Sequence, residues 1–150
     1  MKRSCGRWGH RLRGFGLKCT AGREIILEIL GSTNEHLSPE DIYSKVKAES
    51  PDTGLTTVYR TLDVLTRLDV VSKLDFGDGK SRYELADNFT HKKHHHHLVC
   101  TSCGKIVDYS DFVAGESETI CKIEEKLGDK YGFKISGHFI KFEGLCGNCG

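Results

Sequence analysis

The sequence predicts an α+β (mixed α/β) protein with an N-terminal winged helix-turn-helix domain and a C-terminal α/β domain rich in cysteine and histidine. Three helical patterns followed by a β-hairpin pattern give the element order of a winged helix. Two C-x-x-C pairs in a later segment of different texture indicate a domain held by metal. We expect a basic flexible arm over residues 1–16, the winged helix over 17–86 and the second domain over 87–150.

The composition is that of a water-soluble chain with an asymmetric charge distribution. Of 150 residues, 29% are charged and 37% are hydrophobic, and the formal net charge is only +1. No apolar run reaches the roughly 18 residues of a membrane span, and the basic N-terminus lacks the apolar segment of a signal peptide, so we expect a cytoplasmic protein without a membrane partner. Residues 1–23 contain no acidic side chain and these basic ones: Lys2, Arg3, Arg7, Arg11, Arg13, Lys18 and Arg23.

The first two helices have recognisable starts. Thr20 is a plausible N-cap for a helix that runs to about Leu30. In the stretch SPEDIYSKV, Ser38 can cap a second helix, Pro39 suits its first position, and two acidic residues follow in the first turn, where the helix dipole favours negative charge.

The third helix and the hairpin complete the predicted winged helix. Val58, Leu62 and Leu65 form one apolar stripe, and Thr56 or Thr57 could cap the helix. The residues off this stripe are polar: Tyr59, Arg60, Asp63 and Arg67. Two short β-prone runs flank Gly77-Asp78-Gly79 and predict a hairpin.

After residue 86 the pattern changes to a polar connector, two paired strands, a helix and a last strand. The segments HHHHLVC and KIVDYS predict the paired strands around the first C-x-x-C, residues 112–131 predict the helix, and residues 133–146 predict a strand that leads into the second C-x-x-C. We place the domain boundary near residues 86–92.

The two C-x-x-C pairs are the strongest chemical signal. Each pair can present two thiolates, and two pairs complete a tetrahedral four-sulfur shell typical of structural zinc: Cys100, Cys103, Cys146 and Cys149. Disulfides and an iron–sulfur cluster are the alternatives. Three further cysteines have no assigned role, namely Cys5, Cys19 and Cys121, of which Cys121 is expected to be buried in the helix.

The run of four histidines predicts two separate sites. Alternate residues of a strand point to opposite faces, so His94 and His96 would face one way and His95 and His97 the other. Further nitrogen and oxygen donors are His36, Glu84, Asp108, Glu116 and His138. Mixed histidine and carboxylate shells suit iron, manganese or zinc.

Taken together, GLKCTAGREIILEIL, HLSPEDIY, TTVYRTL, SRYEL, HHHHLVCTSCGKIVD and the final CGNC resemble the ferric uptake regulator (Fur) family. The resemblance covers residues 16–149, with every motif in family order. It implies a dimeric, metal-sensing transcription regulator with a winged-helix DNA-binding domain and an α/β dimerisation domain. Iron, zinc, manganese and peroxide sensors all occur in this family.

The resemblance also implies three metal sites. The structural zinc site would comprise Cys100, Cys103, Cys146 and Cys149. The regulatory site, between the domains, would comprise His36, Glu84, His95, His97 and Asp108. A third, more variable site would comprise His94, His96, Glu116 and His138, with Glu118 as the alternative to Glu116 because the neighbouring segment is longer than in much of the family.

For DNA recognition, the resemblance places the TTVYRTL helix in the major groove. The implied DNA-binding residues are Lys18, Arg23, Thr57, Tyr59 and Arg60. Arginine can bond guanine edges, tyrosine offers a ring to thymine or a hydroxyl to phosphate, and the basic arm would add salt-dependent affinity.

The function we predict is a metal-dependent, most simply iron-responsive, transcriptional repressor that binds double-stranded operator DNA as a homodimer. The cofactors would be structural Zn²⁺ and a regulatory Fe²⁺, or Mn²⁺ or Zn²⁺. Peroxide sensing, with which Asp108 is compatible, and zinc or manganese sensing are alternatives within the family.

A zinc hydrolase or deaminase is a remote alternative, since H-E-x-x-H and the deaminase signature are absent. A purely structural zinc module would leave the helix-turn-helix unexplained. We therefore expect no enzymatic activity and no small-molecule substrate.

Overall fold

Within residues 6–90, 95–111 and 113–150, which the computed structural model describes, the chain divides into two units, Met1–Lys92 and Lys93–Gly150. The first unit contains helices α1 (Gly9–Gly14), α2 (Ala21–Gly31), α3 (Pro39–Glu49), α4 (Leu55–Arg67) and α5 (Asp87–Thr90), with strands β1 (Val71–Asp75) and β2 (Ser81–Leu85). The second contains strands β3 (His96–Cys100), β4 (Ile106–Tyr109) and β5 (Lys141–Gly144), with helix α6 (Val113–Tyr131).

Side-chain caps fix the starts of α2 and α3, as predicted. The Thr20 hydroxyl accepts a hydrogen bond from the Arg23 backbone N–H at 3.4 Å. Ser38 and Asp41 form a reciprocal capping box, in which the Ser38 hydroxyl accepts from the Asp41 N–H and the Asp41 carboxylate accepts from the Ser38 N–H. These caps satisfy backbone donors that have no partner within the helix.

Helix α4 begins earlier than the sequence predicts. Its N-cap is Gly54, which has no side chain to cap with, so the expected caps Thr56 and Thr57 are wrong. The backbone of Gly54 is extended, and its carbonyl already accepts from the Thr57 N–H at 3.0 Å. The predicted stripe is confirmed, because Val58, Leu62 and Leu65 are fully buried.

The predicted flexible arm contains an ordered helix. Trp8 and Leu12 are buried, and the Trp8 ring stacks on Phe89 with ring centroids 5.5 Å apart. The Arg11 guanidinium donates to the Phe89 carbonyl. Burial of these two apolar side chains on the core explains why this segment is helical, whereas its glycine and arginine content had suggested an arm.

The wing is the antiparallel hairpin β1–β2, in which Val71 pairs with Leu85 and Asp75 with Ser81. Its turn uses Gly77 and Gly79 at φ values of 87° and 75°, a region that glycine enters without strain. The predicted hairpin is therefore confirmed.

The second unit is a three-stranded sheet in the order β4-β3-β5 together with α6. Strand β3 pairs antiparallel with β4 and parallel with β5. Strand β5 is shorter than the segment 133–146 that the sequence predicts, because β3 offers it pairing for only four residues, His97–Cys100. Few side chains of this unit's described residues are buried: His96, His97, Val99 and Cys100.

The helices in the described part of the chain include none that combines the length and the apolar character required to cross a membrane.

Candidate metal centres and nucleic-acid interface

Four cysteine sulfurs converge at one end of the second unit's sheet. The Sγ atoms of Cys100, Cys103, Cys146 and Cys149 all lie within 4.8 Å of one another. The Cys103 and Cys146 sulfurs are 3.7 Å apart. A tetrahedron with zinc–sulfur bonds of about 2.3 Å has edges of about 3.8 Å, so this spacing fits a four-sulfur zinc site.

Backbone N–H groups stabilise the thiolate of Cys100 in this cluster. Strand β3 ends at Cys100, and the turn after it has Gly104 at a φ of 72° and a hydrogen bond from the Gly104 N–H to the Cys100 carbonyl. The N–H groups of Cys103 and then Cys146 donate to the Cys100 sulfur and lower the pKa of that thiol from 9.0 to about 6. A depressed pKa favours the thiolate, which is the form that binds metal.

The disulfide alternative is wrong for these cysteines, because all four are free thiols. Cys121 is free as well. Our expectation that Cys121 is buried is also wrong, since it is exposed on α6. Cys5 lies outside the described residues.

In the first unit, His36 and Glu84 lie side by side. An isolated antiparallel bridge pairs Leu37 with Tyr83, with hydrogen bonds of 2.8 and 3.2 Å between their backbones. This bridge aligns the segment before α3 with β2, and it brings His36 Nε2 within 3.4 Å of a Glu84 carboxylate oxygen. The His36 ring also packs edge-on against Phe76. One nitrogen and one oxygen donor are thus held together.

In the second unit, His95, His97 and Asp108 form another donor group. His97 and Asp108 are cross-strand partners on β3 and β4, and His97 Nε2 lies 3.7 Å from the Asp108 carboxylate. The rings of His95 and His97 are 5.0 Å apart. The buried His97 side chain also packs on Phe139.

The neighbouring residue His96 belongs to a different group. His96 is buried, and its Nδ1 lies 3.0 Å from Glu116 on α6 and 3.3 Å from the Tyr109 hydroxyl. Its ring centroid is 5.8 Å from that of His138, whose Nδ1 lies 2.9 Å from Glu124. His94, also predicted here, lies outside the described residues. Glu118, the alternative to Glu116, is exposed.

Sequence reasoning missed Glu124, which lies within the helix predicted over residues 112–131. A signal was available. Glu116, Ile120 and Glu124 are spaced i, i+4, i+8, so a helix places the two carboxylates on one face.

The residues predicted to bind DNA lie on the surface of the first unit. Thr57, Tyr59 and Arg60 are exposed on α4, and Tyr59 retains 45% of its accessible surface. Lys18 is exposed before α2, and its backbone carbonyl accepts a 2.7 Å hydrogen bond from the Arg23 guanidinium. A cavity of about 1020 Å³ lies between α3, α4 and the hairpin, with Tyr59 and Arg60 in its lining.

Comparison with known proteins identifies relatives of the whole fold. Residues 14–143 match the ferric uptake regulator family. The ferric uptake regulation protein of Bacillus subtilis is 42% identical over 141 residues, 93% of this chain and 89% of that protein. The ferric uptake regulator of Helicobacter pylori, whose structure reveals three functional metal-binding sites, is similar with a TM-score of 0.70 and 30% identity, over 95% of this chain and 89% of that one. The Pseudomonas aeruginosa regulator with manganese is similar with a TM-score of 0.72 and 29% identity, over 92% of this chain and 96% of that one.

Proposed function

Because this chain belongs to the ferric uptake regulator family, we propose that it is an iron-responsive repressor that binds operator DNA as a homodimer. The observation that carries the proposal is the combination, on one chain, of a winged helix with an exposed polar α4 face and two histidine–carboxylate groups in different units. A hydrolase would not need the first feature, and a structural zinc module would not need the second.

The DNA-reading residues of the proposal are those exposed on and beside α4. Tyr59 and Arg60 would contact base edges and phosphate in the major groove, with Thr57 beside them. Lys18 would reach the minor groove, and Arg23 would support it through its hydrogen bond to the Lys18 carbonyl. This arrangement would make affinity fall as salt concentration rises.

The four cysteines would hold a structural Zn²⁺. Four sulfur ligands leave no open coordination position, so this ion would have no role in catalysis. We accordingly propose that the protein is not an enzyme and has no small-molecule substrate. Since its partner would be operator DNA, we propose a cytoplasmic location.

The regulatory ion would take donors from both units, with His36 and Glu84 from the first and His95, His97 and Asp108 from the second. In support, each unit holds its own donors close together, at 3.4 Å for His36 and Glu84 and 3.7 Å for His97 and Asp108. Three nitrogens and two carboxylates suit Fe²⁺ and also Mn²⁺ or Zn²⁺. An ion that needs donors from both units favours conformations in which they are close, which would set the separation of the two DNA-binding domains of a dimer.

The third site would use His94, His96, Glu116 and His138. The 3.0 Å separation of His96 from Glu116 supports that choice over the exposed Glu118. Glu124, 2.9 Å from His138, is a further candidate ligand.

Operator binding under defined metal conditions tests the proposal. Protein purified without oxygen would be used to select duplexes from a random DNA library, and affinity would be measured by fluorescence anisotropy with Fe²⁺, Mn²⁺ or Zn²⁺. We expect Fe²⁺ or Mn²⁺ to raise operator affinity at least about tenfold, a coupling free energy of at least about 1.4 kcal/mol. His36→Ala should abolish this rise while four-cysteine zinc content is unchanged. Equal affinity with and without every metal would refute the regulator assignment.

Peroxide sensing is the second candidate, and Asp108 beside His97 is compatible with it. The same assay separates the two. Hydrogen peroxide applied to the Fe²⁺ form, but not to the Mn²⁺ form, should abolish binding and add one oxygen atom to a ligand histidine if the protein is a peroxide sensor. An iron sensor should show no such oxidation at equal peroxide.

A further inference from the structure

Tyr59 on α4 forms a hydrogen bond with a carboxylate on another helix. Its hydroxyl donates a 2.6 Å hydrogen bond to Oε1 of Glu40, in the first turn of α3. Both side chains are exposed, and both line the cavity between the two helices and the hairpin. The contact therefore belongs to the surface that would face DNA and not to the buried core.

The hydrogen bond reinforces the ordinary protonation states of both partners. Accepting the phenol hydrogen lowers the pKa of Glu40 below its ordinary value, and donating it raises the pKa of Tyr59 above its ordinary value. At neutral pH, Glu40 is an anionic acceptor and Tyr59 a neutral donor. A phenol has one proton to donate, so Tyr59 retains only its ring and an oxygen lone pair for other partners.

Nucleic-acid groups differ in how they can use those remaining features. Phosphate oxygens can only accept hydrogen bonds, and the single O–H of Tyr59 is already donated to Glu40. The negative charge of Glu40 also repels a phosphate. Base edges fit better, because a thymine methyl can contact the ring and the amino groups of adenine and cytosine can donate to the hydroxyl oxygen.

We propose that Glu40 is a specificity-determining positioning residue, which holds Tyr59 as an acceptor and apolar surface and so directs it to base edges instead of phosphate. This inference rests on the proposed function, since it concerns the protein's operator contacts. It assigns to a carboxylate in α3 a role in reading sequence, although that carboxylate repels DNA.

The experiment uses full-length, metal-loaded protein and a duplex selected by the wild type from a random library. Dissociation constants would be measured for that duplex, for all its single-base-pair variants and for an unrelated duplex. The variants are Glu40→Ala, Glu40→Gln, Tyr59→Phe and the double variant Glu40→Ala/Tyr59→Phe. Glu49→Ala is the matched control, because it removes one carboxylate from the exposed end of the same helix. Melting temperature would be recorded for each.

We expect Glu40→Ala to discriminate the selected duplex from its variants at one or two base pairs at least about fivefold less well than the wild type does. Fivefold is the lower end of the discrimination that a good base contact provides. It should also bind the unrelated duplex more tightly, because a negative charge is gone and the phenol can donate to phosphate. Glu40→Gln, whose amide oxygen still accepts the phenol hydrogen, should keep the discrimination. The double variant should lose no more discrimination than Tyr59→Phe alone, because the two residues act as one unit.

A purely structural link between α3 and α4 would behave differently. Glu40→Ala would then lower melting temperature and affinity for all duplexes equally, with an unchanged base profile, and that result overturns this inference alone. Glu49→Ala should match the wild type in base profile. If the wild type selects no duplex with any metal, the proposed function fails and this inference fails with it.

Discussion

Glu124 is a carboxylate at the edge of the proposed third metal site. Its Oε1 lies 2.9 Å from His138 Nδ1, while Glu116, two helical turns earlier, lies 3.0 Å from His96 Nδ1. The two histidine rings are 5.8 Å apart. The helix thus presents one carboxylate to each histidine, and mixed histidine and carboxylate ligands suit iron, manganese or zinc.

We predict that Glu124→Gln weakens binding at the third site at least about tenfold, the lower range for removal of a group that supports a metal ligand. The reason is that an amide lacks the negative charge and leaves His138 without its anionic partner. Mn²⁺ titration by isothermal calorimetry, in zinc-replete protein, measures the effect.

Glu118→Gln is the control for that measurement, because Glu118 is on the same helix and exposed. It should leave Mn²⁺ binding unchanged. If the two variants bind Mn²⁺ equally well, Glu124 is a hydrogen-bond partner of His138 and nothing more.

At the scale of single residues, the sequence predicts which side chains could bind a metal from their chemical type. It predicts which of these side chains lie together only where strand geometry fixes their directions. The alternation along β3 separated His96 from His97 correctly, because neighbouring residues of a strand face opposite ways. The contact between Glu124 and His138 depends on how α6 packs against residues that belong to no strand, and no local pattern encodes that packing.

Helix α3 is an element whose start is fixed by two side chains. The Ser38 hydroxyl and the Asp41 carboxylate each accept from the other residue's backbone N–H, at 3.1 and 3.0 Å. The same helix carries Glu40, so its position also sets the contact with Tyr59.

We predict that Ser38→Ala lowers the free energy of unfolding by about 1 kcal/mol, within a range of roughly 0.5–2 kcal/mol. The lost acceptor leaves the Asp41 N–H without its cap. Urea denaturation followed by circular dichroism measures the change. Ser44→Ala is the control, because the Ser44 hydroxyl only bonds the Glu40 carbonyl within the helix, and its effect should stay within about 0.5 kcal/mol.

The cost of Ser38→Ala should also depend on pH. Hydrogen bonds from the Ser38 side chain and then its backbone lower the pKa of Asp41. A carboxyl with a depressed folded-state pKa contributes stability that is present above its unfolded pKa of about 3.9 and is lost as pH falls through the folded value. The difference between wild type and Ser38→Ala should therefore shrink as pH falls below about 4. A constant difference down to pH 2 would show that the Asp41 charge is not involved.

The start of a helix could be predicted wherever a side chain caps it. Thr20 and Ser38 identify helix starts because they supply the capping oxygen. The start of α4 was misplaced because Gly54 caps through its backbone alone, and α1 was missed because its helix depends on Trp8 packing against Phe89, eighty-one positions away.

For the whole molecule, the four-cysteine site should control the stability of the second unit. The described residues of that unit bury few side chains, so apolar packing within one chain contributes little. The energy of binding a structural zinc ion is at the same time folding energy.

We predict that Cys149→Ser destabilises the second unit by roughly 2–4 kcal/mol, about a quarter of the ~10–16 kcal/mol that four ligands provide. The first unit, with its own core, should melt as before. Calorimetry and zinc analysis measure both effects. Cys121→Ser is the control, since Cys121 is a free, exposed thiol outside the cluster, and it should change neither zinc content nor melting. Equal loss in both variants would contradict a specific role for the cluster.

The second unit also leaves an apolar row open on its sheet. Leu98 on β3 pairs with Val107 on β4 and with Phe142 on β5, so the three side chains form one row across the sheet. They keep 44%, 40% and 51% of their accessible surface. Three adjacent exposed apolar side chains are candidates for a subunit interface, because in a homodimer the same row from each subunit can cover the other.

If the protein forms the homodimer proposed above, we predict that Leu98→Asp converts it to a monomer at micromolar concentration. A carboxylate at the centre of the row would be buried without a partner in both subunits, which should raise the dissociation constant at least about 100-fold, a cost of roughly 3 kcal/mol. Analytical ultracentrifugation of zinc-replete protein measures this. Lys126→Asp, which places the same charge on an exposed position of α6, should remain dimeric. If Leu98→Asp sediments as the wild type does, the subunits associate through another surface, and the exposed row must be covered by something other than a second copy of the chain.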